Sequence, residues 1–213
     1  MKNITKYYDF NKVARPNKLV VILHGYGANG ENLISLGQEF SKILPNAYFI
    51  APNAPQVHEG GAYDGFQWFS LMGNISEIAP DIIKANIILS NFIKQKLEQF
   101  FLGLKDLILI GFSQGAMMSI YNSLVAEKDI TAVIAFSGRL ISPSYLNQEI
   151  KSKPKICLIH GDNDNVVPFE NLQIAYDGLK DMLIKVEKHA ISGLDHQIDL
   201  RGVDIANNFL KSL

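Results

Sequence analysis

The sequence predicts a single α/β domain spanning residues 1–213, a mostly parallel sheet with helices on both faces, and it does so on three grounds. Its apolar runs are short and continuous rather than alternating, which is how strands buried on both faces look, and such strands belong to parallel sheets covered by helices. Helical patterns lie between those runs, giving the strand-helix alternation of right-handed crossover units. The length, 213 residues, fits one domain on a prior of roughly 150 residues each.

Taken in order, Lys18–Leu23 is the first apolar run, and 31–44 follows with Leu33, Leu36, Phe40 and Leu44 at helical spacing. Ala47–Ala51 is the next strand. From Asn53 to Asn74 the chain holds four Gly, one Pro and four aromatics without a period, and a loop that long is usually functional. Residues 76–100 read as a long helix with Ile82, Ile83, Ile87, Leu89, Phe92 and Leu97 in its apolar stripe. The run 107–110 is a strand, 116–126 a helix, 131–136 a weaker strand, 155–159 a strand and 169–179 a helix. Met182, Ile184 and Val186 then alternate with Lys185, Glu187 and His189, the period of a late edge strand. Residues 200–213 close the chain as a helix.

Composition removes several function classes. The chain is 47% hydrophobic and 19% charged, with a formal charge of −1 and a pI near 6.5, so no net field attracts nucleic acid. No apolar run approaches the roughly 20 residues a bilayer-spanning helix needs, which argues against membrane insertion. Met1–Tyr8 has polar residues at every second or third position, unlike a signal peptide, and a cytoplasmic protein is expected. Cys157 is the only cysteine; it excludes an internal disulfide and a thiolate cluster, and its apolar neighbours make it a small buried hydrophobe.

The sharpest chemical signal is Gly111-Phe112-Ser113-Gln114-Gly115, set between a strand and a helix. A nucleophilic serine needs a tight strained turn there, with small residues two before and two after it. On this architecture an acid and then a histidine follow the nucleophile. Asp162 and Asp164 leave the strand 155–159 together, and the residues alone do not choose between them; the other acid caps the turn. Of five histidines, His189 and His196 come after these acids. His196 lies in a loop at a strand's carboxyl end and is the candidate base, whereas His189 reads as a surface strand residue and His58 as a solvated loop residue.

An oxyanion hole requires the amide of Gln114 and a second amide from an earlier loop. His24-Gly25-Tyr26-Gly27-Ala28-Asn29-Gly30 supplies one, with Tyr26 as donor. Gly25, Gly27 and Gly30 also spell a dinucleotide-binding pattern, but the acid expected about 20 residues on is missing. No two histidines fall at ligand spacing on a helix, so neither a metal nor another cofactor is expected.

Together these residues resemble the phospholipase/carboxylesterase branch of the α/β-hydrolases, which includes acyl-protein thioesterases and small carboxylesterases. The resemblance rests on Leu23-His24-Gly25-Tyr26-Gly27, Ala51-Pro52-Asn53-Ala54-Pro55, Trp68-Phe69, Gly111 to Gly115, Ser137-Gly138, His160 to Pro168 and Asp195-His196. It implies the α/β-hydrolase fold without a large separate lid domain, a catalytic set of Ser113, Asp164 and His196, and hydrolysis of small-molecule esters or thioesters. It also implies an acyl pocket walled by Trp68, Phe69 and Val167, and a chain able to form a homodimer. Lysophospholipid hydrolysis, or a non-catalytic binding module on the same fold, would be the alternatives. Two positions depart from the family pattern: Ala116 stands where Gly is usual, and Ser70 where Asp often follows Trp-Phe.

Overall fold

Leu19, Val21 and Leu23 pack into one hydrophobic cluster while Val20 and Ile22 pack into another. Both faces of that strand are therefore buried, and this is why its sequence is continuously apolar. In the computed structural model, which describes residues 4–11, 13–61, 64–146 and 148–213, the strand is β2 (Lys18–Leu23) of a seven-stranded sheet. The others are β1 (Tyr7–Phe10), β3 (Ala47–Pro52), β6 (Leu107–Phe112), β7 (Ala132–Phe136), β8 (Lys155–Gly161) and β9 (Val186–Ile191). Their order is β1-β3-β2-β6-β7-β8-β9, parallel throughout except for β1, which pairs antiparallel with β3. This is the α/β-hydrolase arrangement, and among the described residues no separate lid is built over it.

Helices α3 (Ile75–Gln99), α4 (Gln114–Val125) and α5 (Glu170–Asp181) cover one face. The short α1 (Gly30–Ile34) and α2 (Leu36–Phe40) and the closing α6 (Leu200–Lys211) cover the other. Asn74 caps α3 reciprocally with Glu77, a pairing that satisfies two otherwise orphaned amides. No helix among the described residues is long and apolar enough to cross a membrane.

Several expectations need correction. The helix expected over 31–44 is two short helices meeting at Ser35, with only Phe40 of its four periodic residues fully buried. The late strand begins at Val186 rather than Met182, because Met182 closes α5 and Leu183 turns the chain with φ 60°. Strand β1 was not anticipated; its residues are only partly buried and carry no apolar run. Inside the aperiodic stretch, β4 (Gln56–Val57) pairs with β5 (Phe66–Gln67). Tyr63, one of that stretch's aromatics, and Met1–Asn3 of the amino terminus lie outside the described residues.

Candidate active site

Strand β6 ends in a turn that places Ser113 at φ 53° and ψ −118°, a region that costs a non-glycine residue about 1–3 kcal/mol. Backbone contacts on both sides hold it there: Ser113 N donates to Phe136 O at 2.9 Å, and Met117 N to Ser113 O at 3.1 Å. A Cβ at Gly111 would come within 2.3 Å of Gly115 O, and one at Gly115 within 2.1 Å of Leu23 O. The two glycines are thus demanded by contact between backbones, so the spacing around the serine is a steric necessity.

The loops after β8 and β9 bring the acid and the histidine to this turn. His196 Nδ1 lies 2.7 Å from Asp164 Oδ2, and its Nε2 lies 3.0 Å from Ser113 Oγ. Burial would push the Asp164 carboxyl up, but hydrogen bonds from His196 and from the amides of Val167 and Val166 reverse this and hold it below the usual carboxylate range. An ionised carboxylate only accepts, so Nδ1 of His196 donates to it and Nε2 presents a lone pair to the serine hydroxyl. Asp164 also receives the amides of Val166 and Val167, each at 2.9 Å, on Oδ1. His160 Nε2 donates to Val167 O at 2.9 Å and lies 3.2 Å from Asp164 Oδ2.

Asp162 behaves differently from the expectation that it caps its own turn. That capping is done by Asp164, whereas exposed Asp162 accepts from Gly193 N at 2.6 Å and so ties the β8 loop to the loop carrying His196. His58 is half-buried rather than solvated, its ring 4.4 Å from that of Tyr26 and its Nδ1 buried without a partner among the described residues. His189 lies on the open edge, paired with Glu187 at 2.9 Å.

In the loop after β2, Gly27 N donates to Phe66 O at 2.9 Å and Ala28 N to Gly25 O at 3.3 Å. The amide of Tyr26 makes no such bond among the described residues, and that of Gln114 opens α4, where no intrahelical acceptor exists. Both residues, with Ser113 and His196, line a cavity of about 430 Å³. The loop is anchored by His24, fully buried, whose Nε2 accepts from Ala54 N at 2.9 Å while Nδ1 lies 2.7 Å from Gly25 O. Burial lowers its pKa to about 4, so it stays neutral with the proton on Nδ1.

Val167 lines the cavity, but Trp68 and Phe69 do not. Both are fully buried, because the Gln114 side chain accepts from Trp68 N and donates to Phe69 O, each at 2.8 Å, while Trp68 Nε1 donates to His24 O at 3.0 Å. Leu71, two residues on, reaches the cavity instead. The sequence signals only the amide of Gln114 and neither this side-chain fork nor Arg139, which lines the same cavity. A lone Gln or Arg carries no periodic signal.

A second cavity of about 440 Å³, between β4, β5 and α3, has no Ser, Cys or His in its lining. The grouping of possible metal ligands found among the described residues, Cys157, Glu187 and His189, lies on β8 and β9. Burial pushes the Cys157 thiol up and Glu187 already accepts from His189, so it is poorly prepared to offer a thiolate.

The pattern that describes the phospholipase/carboxylesterase family matches residues 10–213. An esterase from Escherichia coli, YpfH, is 30% identical, with the alignment covering 96% of this chain and 88% of that one. Acyl-protein thioesterase 1 homolog 1 from Dictyostelium discoideum is 27% identical over 95% of this chain and 93% of its own. Among solved structures, esterase PE8 superposes with a TM-score of 0.88 at 39% identity, over 96% of this chain and 97% of that one.

Proposed function

We propose a reaction whose starting point is that the chain belongs to the phospholipase/carboxylesterase family of the α/β-hydrolase superfamily and is an ester-hydrolysing enzyme. The observation that carries the mechanism is the continuous hydrogen-bond chain from Ser113 through His196 to Asp164 beside one cavity. Ser113 Oγ attacks the carbonyl carbon of an ester or thioester as His196 Nε2 takes its proton, and Asp164 stabilises the imidazolium. The amides of Tyr26 and Gln114 receive the negative charge on the carbonyl oxygen, and each such donor is worth about 3 kcal/mol. Collapse expels the alcohol or thiol, protonated by His196, and leaves an acyl-Ser113. Water deprotonated by His196 then releases the carboxylic acid and restores the serine. The sequence of steps requires no cofactor.

The relatives' names cover both an esterase and acyl-protein thioesterases, so the leaving group of the reading is an alcohol or a thiol. Labelling tests the nucleophile: a fluorophosphonate should add once, at Ser113, with parallel loss of p-nitrophenyl ester hydrolysis. Addition elsewhere, or full activity in Ser113→Ala, overturns the assignment.

A further inference from the structure

We propose that Arg139 selects substrates carrying an anionic group, a carboxylate a few atoms from the scissile bond, an inference that rests on the Ser113 reading above. Arg139 is exposed and lines the same cavity as Ser113 and His196, and no Asp or Glu is among that cavity's lining residues. No ion pair or hydrogen bond is made by its guanidinium among the described residues. Arg201 shows the contrast, with Nε 2.7 Å from Asp199 Oδ2 and a second nitrogen 2.8 Å from Ser192 O. The chain has three Arg among its 20 basic residues, so its surface cations are mostly lysines. The forked, permanently charged side chain, the one suited to gripping a carboxylate with two parallel bonds, stands at the cavity.

The position is also a fixed one. Ser137 N donates to Ile159 O at 2.8 Å with the backbone at φ 50°. A Cβ at Gly138 would lie 2.7 Å from the Ala116 methyl, so Gly138 sits directly on α4. On the other side Leu140 packs against the core and touches Gly178, and Ile141 is buried. The backbone of Arg139 is thus held before and after, while its side chain opens into a space walled by Leu71, Met117, Val166 and Val167. Apolar walls weaken dielectric screening, so a carboxylate entering beside the guanidinium is attracted more strongly than in bulk water.

The test uses two isosteric ester pairs followed by acid release. Monomethyl glutarate against methyl glutaramate places the carboxylate or its neutral amide on the acyl side, and butanoyl glycolate against butanoyl glycolamide places it on the alcohol side. The readout is each variant's own ratio of kcat/KM for the acid over the amide, which cancels differences in folded fraction. For the unaltered enzyme a ratio of roughly tenfold or more is expected in one arm, the low end for a charge-assisted contact in touch with solvent. It should fall to near one in Arg139→Gln, be partly kept in Arg139→Lys, invert in Arg139→Glu, and shrink between about 0.02 M and about 0.5 M salt. A ratio near one in both arms, or one that Arg139→Gln leaves unchanged, overturns the inference while Ser113-dependent hydrolysis of the amide esters stands. Absence of any Ser113-dependent hydrolysis overturns the reading beneath it and this inference together.

Discussion

Two regions meet at Ser113 and are held by different physics. The elbow between β6 and α4 is fixed by backbone: two glycines against neighbouring carbonyls and amide bonds on either side of the serine. Among the described residues the excursion between β3 and α3 contains only the two-residue strands β4 and β5, and polar side chains join a few backbone bonds in fixing it. Gln114 forks onto Trp68 and Phe69; Gln67 accepts from Glu59 N at 2.9 Å and donates to Gln56 at 3.1 Å; Ser70 donates to Glu59 at 3.1 Å. A backbone-held turn tolerates changes around it but none at its glycines, whereas a side-chain-held loop can be re-aimed by one polar substitution. Such a division lets the shape of the pocket change while Ser113 stays in place.

The largest effect should come from the elbow. Ser113→Ala is expected to fold normally and lose ester hydrolysis by roughly 10⁴-fold or more in kcat. Residual kcat within about tenfold of the unaltered enzyme would detach catalysis from the backbone-held region. Next comes the acid pair. Asn in place of Asp164 keeps acceptors for Val166 and Val167 but not the charge behind His196, so Asp164→Asn should lose at least roughly a hundredfold more rate than Asp162→Asn. Steady-state kinetics with the ranking reversed would move the orienting role to Asp162.

His24 joins the two regions, and its effect should appear as pH-dependent stability. Its folded pKa of about 4 lies below the ordinary value of 6.5, so between those values the unfolded chain binds the extra proton. Stability from this group is fully present above about pH 6.5 and is lost as pH falls towards 4, a contribution of about 3 kcal/mol. Urea unfolding across that window should show a steeper slope for the unaltered protein than for His24→Asn; equal slopes would mean that burial does not hold this ring neutral. The smallest effect belongs to the side-chain clamp. Gln114→Ala leaves Trp68 N and Phe69 O without partners and should cost about 2 kcal/mol of stability. Because the residue's own amide remains, KM should rise more than kcat falls. A kcat collapse without a change in stability would show that the clamp and the elbow are one unit.

What could be read from the residues alone follows the same division. Strands buried on both faces announce themselves, and so does the elbow, since only glycine fits where backbones touch. Asp162 and Asp164 could not be told apart, because both leave the same strand end and differ in burial, which depends on how the β9 loop folds over them. Trp68 and Phe69 look like a pocket wall in an aperiodic loop; the Gln114 fork and the His24 carbonyl turn them into the core instead. Strand β1 carries no such signal because it joins the sheet through half-exposed residues, Tyr48 donating to Asp9 across the pair.

The two ends of the sheet carry a consequence for how this chain behaves in a crowd. An open edge strand is a template onto which another chain can add, the first step towards fibrillar aggregation. At β9 the exposed residues include Glu187 and Lys188, with Lys188 reaching over the Tyr176 ring at 4.8 Å; at β1, Lys96 stands 4.1 Å from the Tyr7 ring. An incoming strand would have to strip water from these ammonium groups at either end. The sheet therefore terminates itself, and apolar strands that would otherwise be a hazard stay enclosed between two guarded margins.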